Sequence, residues 1–183
     1  MNRAAAVFTY DDYLTLSNDG KRHEILDGEL VMTPAPSPEH QEILLNLIEL
    51  LRGFVRAESR GKVFCAPTDV VLSMTDVVQP DIVFVSKERL NIITRKNVVA
   101  APDIVVEIVS EATEKLDRVT KKELYERFGV KEYWIVDPEK QTIEVYELRG
   151  REYSTPHMYR ASDPFRTTLL SNFSFTVGSI FAK

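Results

Sequence analysis

Two acids and a lysine, Asp81, Glu107 and Lys121, carry the chemistry this sequence could perform. Asp81 stands in Pro80-Asp81-Ile82-Val83-Phe84-Val85, and Glu107 in Pro102-Asp103-Ile104-Val105-Val106-Glu107-Ile108-Val109. Each run is rich in β-branched residues and opened by a proline, which has no N–H to give a ladder and so suits the start of a strand. The linker between them lets two strands of one sheet run antiparallel, so the beginning of the first lies beside the end of the second. The two carboxylates then meet. Mg²⁺ is a hard cation that takes one or two carboxylates and completes its shell with water and phosphate oxygens. Asp81, Glu107 and the carbonyl of Ile108 make such a half-shell. A metal held there would acidify a bound water and neutralise charge building on a phosphodiester. Lys121 would orient that water or offset the same charge. These are the parts of metal-assisted phosphodiester hydrolysis, although a buried acid pair is equally compatible with hydrogen-bonded structure.

The lysine is chosen by the helix that carries it. The spacing predicts a helix from Thr113 to Phe128, stopped by Gly129. At 100° per residue, Leu116, Val119, Leu124 and Phe128 form its apolar stripe, near 0°, 300°, 80° and 120° on the wheel. Lys121 falls at about 140°, bordering that stripe, and Lys122 at about 240°, toward water. Asp117, Lys121 and Tyr125 share one side at four-residue spacing. The bland alternative is a surface Asp117–Lys121 ion pair, worth only ~0.3–0.5 kcal/mol.

Other elements must hold these groups. Thr9 caps a short helix through Tyr13, Leu14 and Leu16, closed by Asn18-Asp19-Gly20. Asp27-Gly28 between apolar runs predicts a two-residue hairpin turn that pairs Leu26 with Glu29 and Glu24 with Val31. A glutamate in that position ordinarily sits at a sheet margin. Ser37 as N-cap and Pro38 at the first helical position open a helix. Ile43, Leu44, Leu47, Ile48 and Leu51 are its buried stripe, and it ends near Gly53 or Gly61. His40 lies on its first turn, either as a structural residue or facing a substrate at the electropositive helix start. Residues 63–73 read as one bent strand, completing a three-strand meander with 81–86 and 103–109. Residues 132–137 then return parallel to 103–109 after the helical crossover. An antiparallel strand follows at 141–148, with edge strands and a short helix after it.

The whole chain bounds the partners. Its 183 residues, 44% hydrophobic and 28% charged, suit one α/β domain over 1–183 with a full core. No apolar run approaches a membrane span, and the start, soon acidic at Asp11 and Asp12, does not read as a signal peptide. The single Cys65 excludes an internal disulfide and suits a reducing cytoplasm, where a buried apolar role is its ordinary one. Net charge is −5, so any grip on DNA must come from a local patch. Lys87, Arg89, Arg95 and Lys96 are the candidate patch, or simply a solvated loop.

Taken as a set, the motifs carry a family resemblance. They are Glu24 with Asp27-Gly28-Glu29; Ser37-Pro38 with His40; Gln79-Pro80-Asp81-Ile82; Pro102 to Ser110; Asp117-x-x-x-Lys121-x-x-x-Tyr125; and Gly129-Val130-Lys131-Glu132-Tyr133-Trp134-Ile135-Val136-Asp137-Pro138. The chain resembles Uma2-type restriction endonucleases within the PD-(D/E)xK nuclease-like superfamily. The resemblance implies a restriction-endonuclease-like fold: a central mixed sheet with an αβββαβ core, flanked by helices, plus an N-terminal hairpin. It implies metal ligation by Asp81 and Glu107 with Mg²⁺ or Mn²⁺, a pocket that includes Glu24 and His40, double-stranded DNA as partner, and a homodimer. The wider superfamily places a lysine two residues after the second acid, where this chain has Val109. The Uma2 pattern is apolar there too and carries its lysine on the next helix, as Lys121 stands here. Three readings follow: a metal-dependent DNA endonuclease, an inactive nuclease-like module that binds nucleic acid or protein, and a phosphatase, which lacks a second acid cluster.

Overall fold

The structure is a computed structural model that describes residues 7–16 and 22–182. Helix α1 (Tyr10–Tyr13) starts as expected, with a capping box between Thr9 and Asp12. Its expected stop, Asn18-Asp19-Gly20, and residues 1–6 lie outside the described residues. Strands β1 (Arg22–Leu26) and β2 (Glu29–Thr33) form the hairpin. Leu26 pairs with Glu29 and Glu24 with Val31. The turn holds positive φ at both central residues, Asp27 (50°) and Gly28 (79°), the requirement that makes Asp-Gly so strong a signal. Helix α2 (Pro38–Ala57) is capped by the Ser37 side chain and buries Ile43, Leu44, Leu47, Leu51 and Val55. It runs through Gly53 and stops before Gly61.

The 63–73 stretch is not one strand. It divides into β3 (Gly61–Cys65) and β4 (Val70–Ser73), which belong to different sheets. Pro67 stands in the gap, where its missing N–H breaks a ladder. Strand β5 (Asp76–Val78) pairs with β4 and also with β1, through Ile25 and Val77. Strands β6 (Ile82–Ser86), β7 (Val98–Val99) and β8 (Ile104–Ile108), helix α3 (Lys122–Phe128), and strands β9 (Glu132–Asp137) and β10 (Thr142–Arg149) follow. The C-terminal part adds β11 (Glu152–Tyr153), β12 (His157–Arg160), β13 (Pro164–Arg166), β14 (Ser174–Thr176) and a 3₁₀ turn at Val177–Ile180.

Among the described residues, the main sheet has the order β11-β10-β9-β8-β6-β3, with β12 also on β10. The β6–β8 pair is antiparallel and β8–β9 parallel, so the sheet is mixed. With α2 before it and the helical crossover before β9, this is the expected αβββαβ core. A second sheet, β2-β1-β5-β4-β7, was not expected; it takes up the hairpin and interrupts the meander between β3 and β6.

Period-2 alternation sorts the main sheet's two faces. Ile82, Phe84, Ile104, Val106 and Ile108 pack with α2, whereas Val83, Val85, Val105 and Val109 pack with Leu124 and Tyr125. Burial on both faces explains why these strands read as continuous apolar runs. Asp81 and Glu107 have the parity of the second face, toward the crossover.

The crossover departs from a plain α-helix. Leu116–Lys121 is π-helical, continuing into α3 and ending at Gly129 with φ 81°. The wider i→i+5 turn changes the angular step, and Val119, assigned to the buried stripe, is exposed. Lys121 stays inside.

The linker cluster lies elsewhere. Lys87 follows the far end of β6, roughly 20 Å from Asp81 at ~3.3 Å per residue. Arg89 turns inward, with Nη1 3.2 Å from Asp103 Oδ1 and Nη2 donating to the Ala101 carbonyl. Asp103 also accepts from the Ser86 N–H (2.8 Å) and pairs with Lys131 Nζ (2.6 Å). Burial pushes the Asp103 carboxyl up, but Lys131, the Ser86 N–H and Arg89 outweigh it and hold it below the usual carboxylate range. A carboxylate depressed in the folded state adds stability above its unfolded pKa and loses it as pH falls through the folded value. Asp103→Asn is therefore expected to cost ~1–2 kcal/mol at pH 7, discounted for partners half in solvent. The deficit should shrink below about pH 4, near the unfolded value; thermal melts across pH 3–7 read both.

Candidate active site

Asp81 sits where the chain passes from β5 in the second sheet to β6 in the first, and its side chain is 4% exposed. Oδ2 accepts from the Ile108 N–H at 2.8 Å and lies 3.0 Å from His40 Nε2. Oδ1 lies 3.2 Å from Arg22 Nη1. Burial alone would raise this carboxyl; the His40 hydrogen bond, then the charges of His40 and Arg22 and the Ile108 N–H, outweigh it, and the group is held below the usual range. An ionised Asp81 only accepts, so His40 Nε2 carries the hydrogen of that bond.

Glu107 is Asp81's neighbour across the β6–β8 ladder. The Asp81 N–H points at Glu107 Oε2 (3.4 Å). Glu107 Oε1 accepts from Lys121 Nζ (3.0 Å) and from the Tyr125 hydroxyl (2.8 Å). Burial pushes the Glu107 carboxyl up to about 8, against the pull of the Lys121 ammonium. Lys121 is enclosed by three carboxylates: Glu24 Oε2 (3.0 Å), Glu107 Oε1 (3.0 Å) and Asp117 Oδ1 (3.6 Å). Burial would lower the Lys121 pKa, but Glu107, Glu24 and Asp117 raise it well above its ordinary value. It is a fixed cation, not a base. The Asp117–Lys121 pair is thus buried, not the surface pair set against it, and Lys121 reaches Glu107 without an ion pair to Asp81 among the described residues.

The second sheet completes the site. Glu24 comes from β1, with Oε1 accepting the Gln79 N–H at 2.7 Å and Oε2 on Lys121, so it is buried behind the cleft lining and is not at a sheet margin. Gln79 in turn donates from Nε2 to Asp69 Oδ1 (2.8 Å) and the Tyr13 hydroxyl (3.0 Å), tying α1 to the site. Asp81, Glu107, Asp117, Lys121, His40 and Ile108 line a cleft of about 180 Å³, walled by Pro34 to Ser37. Arg22 lines it too, and sequence reasoning missed it. The available signal was parity: Arg22, Glu24 and Leu26 share one face of β1.

The family described as "Uma2: Putative restriction endonuclease" matches residues 10–178. The chain belongs to the Uma2 family. Its fold is also that of a crystal structure of a putative nuclease belonging to DUF820 from Anabaena variabilis ATCC 29413. The TM-score is 0.80 at 18% sequence identity, over 95% of this chain and 97% of that one. At that identity the likeness concerns the fold. No curated protein matches the sequence. No helix among the described residues is long and apolar enough to cross a membrane.

The residues of this Uma2 chain fit a hard divalent cation in donor type and in charge. Four buried carboxyl groups (Glu24, Asp81, Glu107, Asp117) face two cations, Arg22 and Lys121; burial keeps Glu107 protonated up to about pH 8, so an ion bound there would take the place of its proton. They do not form a ready-made shell: among the described residues no three His, Cys, Asp or Glu side chains converge as one. The Asp81 oxygens are engaged by Arg22, His40 and Ile108. An ion would have to displace one of these partners.

Proposed function

We propose that this chain is a metal-dependent endonuclease that hydrolyses DNA phosphodiesters, with Mg²⁺ or Mn²⁺ held by Asp81 and Glu107 and by the carbonyl of Ile108. The observation that carries this reading is the convergence of Asp81, Glu107 and Lys121, from three separate segments, on one cleft. The bound ion would supply a water of lowered pKa and neutralise charge on the phosphoryl group. The chain's own residues do the rest. Lys121, always charged, holds Glu107 in place through Oε1 and leaves Oε2 turned toward Asp81. Tyr125 fixes the same Glu107 oxygen from the other side. His40, on the first turn of α2, gives its Nε2–H to Asp81 Oδ2 and so holds that carboxylate at the cleft wall.

A second reading, a catalytically inactive module, draws support from charge. Asp81 is already neutralised, and Arg118 is consumed by Glu114, Asp137 and Glu144 at 2.7–2.9 Å. Basic side chains spent internally cannot grip a phosphate backbone. Incubating the protein with supercoiled and single-stranded DNA in Mg²⁺ or Mn²⁺ separates the two. Nicked, linear or shortened DNA that disappears with EDTA is the expected result. Intact DNA under every condition overturns the endonuclease reading.

A further inference from the structure

Two cations balance the carboxylates of the cleft, and they are held very differently. Lys121 is 4% exposed and caged by three carboxylates. Arg22 is 22% exposed and touches one carboxylate oxygen, Asp81 Oδ1, at 3.2 Å. Its Nη2 donates to the Gln79 carbonyl. Its Nε is buried with no hydrogen-bond partner among the described residues, which for so strong a donor leaves a cost uncompensated. A guanidinium with one loose carboxylate contact and one unused donor can be displaced at far lower cost than the lysine. It also lies at the edge of the hairpin: Arg22 is the first residue of β1, paired to Thr33 beside the Pro34–Ser37 wall.

We propose that Arg22 is the resident counter-cation of the site: it occupies Asp81 Oδ1 until a divalent ion takes that oxygen, and then turns to the cleft mouth to hold the substrate phosphate. This rests on the metal-dependent reading above and adds a role for Arg22 to it. The planar fork suits a phosphate oxygen pair as well as it suits a carboxylate. The exchange keeps the cleft near neutrality at each stage. An empty site has Arg22 on Asp81; a loaded site has the ion on Asp81 and Arg22 free for the phosphate.

Exchange predicts opposite signs for two measurements on one variant, which a merely structural arginine would not give. Arg22→Met removes the competitor, so Mn²⁺ measured by calorimetry or electron paramagnetic resonance should bind about five- to tenfold tighter than to wild type. In the same variant, kcat/KM for DNA should fall about 10²-fold, through loss of the phosphate contact. Arg22→Gln keeps a donor for the Gln79 carbonyl and guards against failure to fold; it should show the same pair of signs. Thermal melts confirm that each variant is folded. Unchanged or weaker Mn²⁺ binding by the folded variants overturns the exchange, as does unchanged kcat/KM. Tighter Mn²⁺ binding by variants of a wild type that cuts no DNA keeps Arg22 as counter-cation and sinks only the nuclease reading. No Mn²⁺ binding by any form sinks both.

Discussion

Asp81→Asn is expected to lower DNA cleavage by on the order of 10³-fold while the protein stays folded, roughly 4 kcal/mol of lost transition-state stabilisation. The isosteric amide keeps the volume at the head of β6. It can still accept from the Ile108 N–H that now bonds Oδ2 at 2.8 Å. What it loses is the charge, and with it a strong ligand for a hard cation. Glu107→Gln should act in the same direction by the same argument. Calorimetric Mn²⁺ titration should show weakened binding in both. Asp103→Asn is the matched control, because Asp103 precedes β8 as Asp81 precedes β6 but stands at the end of β8 opposite Glu107, tied to Lys131 and Arg89. It should lose stability and keep cleavage. Equal cleavage losses in Asp81→Asn and Asp103→Asn would mean that the first acts through the fold, and the assignment of Asp81 would fail.

The contrast between those two aspartates shows how much of the site the sequence carried. Both follow a proline at a strand start, and the motif alone does not tell them apart. Register does: β6 and β8 are antiparallel, with Ile82 opposite Val106, so Asp81 meets the Glu107 end of β8 and Asp103 is carried to Ser86. The wheel placed Lys121 correctly and Val119 wrongly for one reason. The π-helical turn leaves the 117–121–125 side facing the sheet but rotates the residue between. The second sheet was not legible because its key strand, Asp76–Val78, is three residues long and joins β1 through a single pair. Three residues carry no usable periodicity. That sheet supplies Arg22 and Glu24 and positions Gln79, so the half of the site it builds was the half that sequence reading described least well. Glu24 was recovered only through the family pattern, and Arg22 not at all.

The depth of Lys121 leads to the second large effect. Lys121→Met should destabilise the protein by ~3–5 kcal/mol at pH 7.5, because it leaves Glu24, Glu107 and Asp117 buried without their shared cation. Methionine fills the stem's volume, so the loss reports charge and not a cavity. Lys122→Met is the neighbouring control. Its ammonium lies 5.5 Å from the Tyr146 ring centroid at the surface of the helix, and its loss should change stability by no more than ~0.5 kcal/mol. The Lys121→Met deficit should ease as pH falls toward about 5. Without the ammonium, burial holds the Glu107 carboxyl still higher, and an acid raised in the folded state loses stability as pH rises between its unfolded and folded values. Adding Glu24→Gln should recover at least ~1 kcal/mol, since the second change removes one of the charges the first left exposed to its like neighbours. Cleavage should be lost in the single variant and should not return in the double one. Stability recovers with charge balance, whereas activity needs a cation at the Glu107 oxygen. If Lys121→Met melted with wild type, the lysine would be neither caged nor needed, and the site would lose the group that distinguishes it from an ordinary buried acid pair.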